Sequence, residues 1–257
     1  MKKTFPFMAV AAIAGFAAPA ANATSILAQT SSDTWSVSRN LELVSGTTAS
    51  GSVTSSALGG VLSVSQYTGA EELVRVVITV VQPDTSVSPT IGASITIASG
   101  SDTFSSSTTD NRVTEVNKLR FDDSLDASLS GVGVSVSDPA YNVQKNSGNY
   151  ANATITVGTP ILKSLSVANS ATTIFDSDIE GLTSGQLASI FTGLGTVGFN
   201  FEATSDFRWT RSGTETLTAT LSGVNSGKVT IQYWVVPEPS AALLGGLGLL
   251  ALLRRRR

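Results

Sequence analysis

The chain of 257 residues has no cysteine and no histidine. Without cysteine no disulfide can staple the fold, so it must rest on its own core even in an oxidising compartment. The lack of histidine excludes Ser-His-Asp triads, histidine zinc sites, histidine general bases and the usual haem ligand together. Phosphate-cradling glycine loops are also missing, since Gly193-Leu-Gly195 reads as a turn and Gly245-Gly246 falls inside an apolar run. The whole-chain charge of -3 conceals a shortage of positive charge in the middle. Six of the sixteen basic residues sit in the two terminal segments with one of the nineteen acidic ones, leaving ten against eighteen between residues 24 and 236. An acidic middle argues against nucleic acid and anionic membrane surfaces as partners.

What the middle does have is alternation of apolar and hydroxylated residues, the period of a half-buried strand. Residues 34–44 place Trp35, Val37, Leu41 and Leu43 on one phase. Strands are predicted likewise over 61–67, 73–81, 91–98, 129–136, 153–157, 161–167, 197–203, 215–221 and 228–236. The run at 73–81 is rich in β-branched residues and too continuous for an edge, so it is expected centrally. Residues 113–121 fit a strand or a short helix. The stretches 45–60 and 99–110 read as loops or weak edges, and 138–150, with Pro139 and Gly148, as an irregular loop. Leu187, Ile190 and Phe191 recur at helical spacing after a serine cap candidate, which predicts one helical turn over 184–191. About ten short strands imply an all-β fold, an antiparallel β-sandwich formed by one domain over 24–236.

The termini read differently. Lys2 and Lys3, the apolar run 5–18 and the small-x-small site Ala21-Asn22-Ala23 form a secretory signal peptide over residues 1–23, with Thr24 as the mature N-terminus. At the other end residues 240–253 carry no charge and no polar face, which suits lipid. Fourteen helical residues span only about 21 Å against a hydrocarbon core of about 30 Å. The flanks decide the matter. Arg254, Arg255, Arg256 and Arg257 would each cost about 2.5 to 3.5 kcal/mol at mid-membrane, so they halt translocation, and their stems can snorkel. Pro237 and Pro239 keep any helix from running out of the preceding strand into the apolar run. A single short C-terminal transmembrane helix is expected.

The order Pro237-Glu238-Pro239, apolar span, arginine stop closely resembles the PEP-CTERM sorting signal of exported proteins in Gram-negative bacteria that make extracellular polysaccharide. The resemblance implies recognition of Pro237, Glu238 and Pro239 by a membrane peptidase of the exosortase type, cytoplasmic arginines, and release to the surface or matrix. A plain anchor that is never cut is the alternative. Residues 185–197, 207–213 and 227–233 further resemble the C-terminal half of the choice-of-anchor E domains, exported β-rich domains that bring no catalytic residues.

Candidate chemistry is thin. Asp176, Asp178 and Glu180, with Gly181, match positions one, three, five and six of a calcium-binding EF-hand loop, but Leu187 stands where a bidentate glutamate is required. The alternative is an acidic turn ahead of a helix. Asp122, Asp123 and Asp126 read as a charged loop. Trp209, placed near a turn, and Trp234, on the face opposite Tyr233, are candidate glycan contacts, with core capping as the other reading. A carboxylate pair would suffice for a glycosidase, but sequence spacing cannot show its geometry. The expectation is a non-enzymatic surface or matrix protein without cofactor, whose partners are the Sec machinery, signal peptidase, an exosortase-type peptidase and exopolysaccharide. A carbohydrate-binding module and a carboxylate-dependent hydrolase are the alternatives.

Overall fold

Alternation of apolar and hydroxylated residues puts about two thirds of the described chain into strands. The computed structural model describes residues 24–45, 50–82, 91–104, 112–146, 153–165 and 170–237. In chain order the elements are β1 (Ile26–Ser45), β2 (Ser50–Thr54), β3 (Leu58–Ser65), β4 (Glu72–Gln82), β5 (Ile91–Ile97), β6 (Ser101–Thr103), β7 (Arg112–Phe121), α1 (Asp123–Gly131), β8 (Tyr141–Asn146), β9 (Thr154–Thr156), β10 (Ile161–Leu165), β11 (Ser170–Asp176), α2 (Ser177–Glu180), α3 (Ser184–Phe191), β12 (Thr196–Thr210) and β13 (Leu217–Val236). The signal segment, including Ala21 and Ala23, lies outside the described residues, as do Glu238, Pro239, the apolar run and Arg254–Arg257.

Every pairing between these strands is antiparallel. In the first sheet β13 is central. On one side β1 runs along it from Ile26↔Val235 to Ser45↔Leu217. On the other, β4 pairs with residues 228–236 and β5 with residues 217–222, end to end, flanked in turn by β11 and β10. The second sheet repeats the scheme about β12: β3 and β2 lie end to end along one side, β7 along the other, and β8 beyond it. Strands β6 and β9 form a small separate ribbon.

Inward-facing residues of the two sheets meet in two apolar clusters. One holds Trp35, Val76, Ile78, Leu119, Phe199, Ile231 and Tyr233, with helix residues Leu125, Leu129, Leu187 and Phe191 packed on it. The other holds Val53, Ile95, Val113, Phe207, Trp209, Leu217 and Leu221. Between them, at mid-strand, the inward phase turns polar on four strands at once. Arg39 of β1 pairs with Glu115 of β7 at 3.2 Å, both side chains 1% exposed. Ser205 Oγ donates to the other Glu115 oxygen at 2.6 Å, and Asn225 Nδ2 donates to Glu115 and to Asn117 Oδ1. Asn225 Oδ1 accepts from the Trp35 indole at 3.2 Å. The belt fits only because its opposite strand is small: Trp35 faces Gly227 and Arg39 faces Gly223. A Cβ on Gly227 would stand 2.0 Å from the Trp35 ring, and Gly223 has a φ of 139°, the region that favours glycine.

Several sequence expectations are corrected. Residues 129–136 do not form a strand. The Val-Gly-Val-Ser-Val alternation imitates one, but Asp122 caps a helix by accepting from Leu125 N at 2.8 Å, and Leu125 and Leu129, four apart, bury one face. Asp122, Asp123 and Asp126 are thus a helix N-terminus and not a loop, with Asp123 and Asp126 in the first turn, where the dipole favours acid. The predicted loop 138–150 contains β8, whose Tyr141 is 3% exposed and donates to Gln82 at 3.0 Å. Residues 113–121 are strand β7, β11 was not foreseen, and there are three helices among the described residues where one was expected. The two strands predicted over 215–221 and 228–236 are one strand, because Gly223 and Gly227 sit opposite bulky inward residues and do not turn the chain. The helix over 184–191 is as expected but is capped by Thr183, in a reciprocal box with Gln186.

Replacing Gly227 by alanine should destabilise the protein by about 1 to 3 kcal/mol through overpacking against Trp35, while Ser222→Ala, exposed on the same strand, should stay within about 0.5 kcal/mol in denaturant unfolding. Burial pushes the Glu115 carboxyl above the usual glutamate range, against the opposing pull of Arg39. Glu115→Ala strands a buried guanidinium and should cost about 3 to 5 kcal/mol, whereas the double change Arg39→Met, Glu115→Leu should be far milder than that single change.

Candidate functional site at the strand exit

The strand that ends just before Pro237 leaves from inside the core. Val235 is 1% exposed and pairs with Ile26 on one side and Leu73 on the other; Val236 pairs with Glu72; Pro237 is exposed. Proline has no N–H to donate, so the ladder stops where the first proline enters. Two residues back, Tyr233 fixes the strand: its ring is fully buried, its hydroxyl donates to the Ser65 carbonyl at 2.8 Å, and burial raises its pKa. Tyr67 lies 5.9 Å away between ring centres and donates to Glu71 Oε2 at 2.6 Å. Burial first, then that bond, pushes the Tyr67 phenol up to about 12. Gln29 Nε2 donates to the Gln66 carbonyl at 3.0 Å and Asp33 accepts from Ser63 N at 2.9 Å, so side chains stitch β1 to β3 across the two sheets here. Because Ile26 pairs with Val235, Thr24 at the start of the described chain lies at the same end as Pro237.

Residues 235–257 match the family model for the PEP-CTERM protein-sorting motif. The chain thus carries a PEP-CTERM sorting motif at its C-terminal end. The motif marks it as an exported substrate of an exosortase, a membrane peptidase, directed toward the cell surface. No curated protein matches the chain. Solved structures with some likeness include particles of infectious bursal disease virus: the Gx strain at 8% identity, covering 84% of this chain and 44% of that one with a TM-score of 0.23, and the VP2 subviral particle at 8% identity, covering 88% and 49% with a TM-score of 0.22. This chain spans less than half of those viral chains, and at such scores the likeness carries no argument. Among the described residues no helix is long and apolar enough to cross a membrane.

Of Pro237, Glu238 and Pro239, expected from the sequence to be recognised by the peptidase, Pro237 alone lies within the described residues. The glycan candidates fare unequally. Trp209 is the penultimate residue of β12, just ahead of the bend that begins at Ser212, but it is 1% exposed and stacks on Phe207 at 5.4 Å over Gly51. It cannot meet a sugar, because β12 runs seven residues past the end predicted at Ala203 and keeps its inward phase. Trp234 does face outward, half-buried beside Arg75.

The acidic loop is committed elsewhere. Asp176 accepts from Arg75 Nε at 3.0 Å and Nη2 at 2.5 Å and caps α2 through Asp178 N, while Asp178 reaches Arg75 at 3.3 Å. Among the described residues no three acidic, histidine or cysteine side chains converge as a metal ligand set. The other well-buried carboxylates are also engaged: Asp102 pairs with Arg211 at 2.7 Å and accepts from Thr103 N and Gly213 N. Sequence reasoning passed over the Arg39–Glu115 belt, although Arg39 stands in phase with Trp35 and Val37, and Glu115 and Asn117 in phase with Val113 and Leu119.

The bond from Arg75 holds the Asp176 carboxyl below the usual aspartate range. A depressed pKa contributes stability above the unfolded value that is lost as pH falls through the folded one. Unfolding measured between pH 5 and the acid limit should therefore show a steeper loss for the wild type than for Arg75→Met, and parallel curves would show that the pair is not coupled to folding.

Proposed function

We propose that this PEP-CTERM protein is a non-catalytic surface or matrix component of a Gram-negative bacterium. It is exported through Sec, cut after Ala23, held briefly by its apolar C-terminal segment with Arg254–Arg257 in the cytoplasm, and released by cleavage near Pro237-Glu238-Pro239. The observation that carries this reading is the sorting motif joined without a linker to the central strand of the fold. The absence of histidine, and the engagement of the buried carboxylates by arginines, support a structural or interaction role in the matrix over a hydrolytic one. The carbohydrate-binding alternative loses Trp209 as a contact residue and gains none.

The fold also bounds the cut. A peptidase needs unpaired, extended backbone, and β13 is paired on both sides through Val235 and on one side at Val236. Intact-mass measurement of the secreted form should give a chain that starts at Thr24 and ends no earlier than Val236. Substituting alanine for both Pro237 and Pro239 should leave the protein in the membrane fraction with its arginines attached. A secreted product that retains Arg257 would overturn release by cleavage.

A further inference from the structure

Large hydrophobics are exposed toward both ends of the fold, Leu43, Val44 and Leu162 at one and four more at the end from which the sorting motif leaves. Ile26 and Leu27 are 50% and 43% exposed and pair with Val235 and Trp234. Leu194, 97% exposed, sits between Gly193, whose N–H donates to the Tyr67 carbonyl at 3.0 Å, and Gly195, whose N–H donates to Gln66 Oε1 at 3.2 Å; Gln66 in turn is bonded to Gln29, the partner of Tyr233. Ile179, 80% exposed, follows Asp178, which is paired with Arg75, the partner of Trp234. Scattered apolar residues on a surface need no explanation, but these four, drawn from three separate segments, surround one exit point.

Chain length supplies the occupant. Three residues, Pro237, Glu238 and Pro239, separate β13 from the apolar run at 240–253. Fully extended they reach about 10 Å. The headgroup layer on one side of a bilayer is roughly 5 to 8 Å deep, taking about 40 to 45 Å overall and about 30 Å of hydrocarbon. If the apolar run lies in lipid, as the proposed anchoring requires, the exit end cannot stand clear of the membrane. We infer that this end, through Ile26, Leu27, Ile179 and Leu194, is a membrane-contacting surface that rests in a zwitterionic headgroup layer until the anchor is cut. Glu71, Glu72 and Glu180 are exposed at or beside the same end, which disfavours an anionic lipid surface. Contact of this kind orients the molecule with β13 upright and Pro237 at the water–lipid boundary, within reach of a peptidase embedded in the membrane.

The inference rests on the anchoring reading, and one experiment separates them. The native chain has no cysteine, so full-length Leu194→Cys and Val44→Cys can each carry a single environment-sensitive nitrobenzoxadiazole probe. Val44 is 60% exposed at the far end of β1, opposite Thr218, roughly 55 Å along the ladder from Val235. Both are reconstituted with phosphatidylcholine vesicles containing a lipid spin-labelled near the headgroup. The expected result is co-flotation of both proteins, with at least threefold stronger quenching and a blue-shifted emission at position 194 only. Co-flotation with equal quenching at the two positions overturns the surface and leaves the anchor standing. Failure to float overturns the anchor and the surface together. Ile179→Cys serves as a second probe, and its quenching must follow that of Leu194→Cys.

Discussion

The pairing of the first strand with the last one organises this molecule. β1 and β13 are each twenty residues long and run side by side over their whole length, so the two ends of the described chain close the same sheet. β13 carries β4 and β5 on its other side and supplies inward residues to both apolar clusters. Trp35 and Asn225, hydrogen-bonded to one another, are separated by 190 residues of chain. Contacts of that separation form late, because loop closure must be met before they contribute. The first sheet is therefore incomplete until the residues just ahead of the sorting motif have emerged, and the order of export becomes the order of assembly.

The belt at mid-strand sets the register of that long ladder. An alternating strand opposite another alternating strand can slide by two residues and keep its faces, so apolar periodicity alone leaves the register open. Here a two-residue slip would bring Asn225 opposite Trp35 or Arg39 and carry Gly227 away from the indole that needs it. Glu115 would lose Asn225 while keeping Ser205 and Arg39, and a buried carboxylate with fewer partners is costly. The belt contributes little net stability compared with an apolar core of the same shape, yet it makes one alignment much better than its neighbours.

Much of this was legible in the residues. Period-two patterning located most of the strands, and β4 is internal, between β13 and β11, as its β-branched density implied. The sorting motif was legible because its parts are extreme: two prolines, an uncharged run and four arginines. Failures came where one local pattern serves two structures. Residues 132–136 alternate as a strand does, but the cap at Asp122 and the i,i+4 pair Leu125 and Leu129 had already placed the chain in a helix, from which Val134 is simply tucked into the core. Gly223, Ser226 and Gly227 look like a turn in isolation. Their small size answers side chains on β1, some 190 positions earlier, and no local window contains that information. The length of β12 was missed for a related reason, since Thr204, Asp206 and Arg208 disguise a strand whose opposite face is fully buried.

The junction at Pro237 shows how fold and sorting constrain one another. Strand hydrogen bonds lie perpendicular to the strand axis, so a pull along β13 loads the bonds to β1 and β4 together and does not open them one by one. A protein held by the end of a short edge strand would peel from that end; here the strand that leads to the sorting motif is paired on both sides, with Val235 and Tyr233 sunk in the larger apolar cluster. Extraction of even one more residue for a peptidase would expose Val235 and break pairing on two sides. The ladder must therefore end before the recognition tripeptide begins. Proline at 237 meets both needs, ending the ladder by withholding a donor and opening the Pro-Glu-Pro tripeptide of the sorting motif.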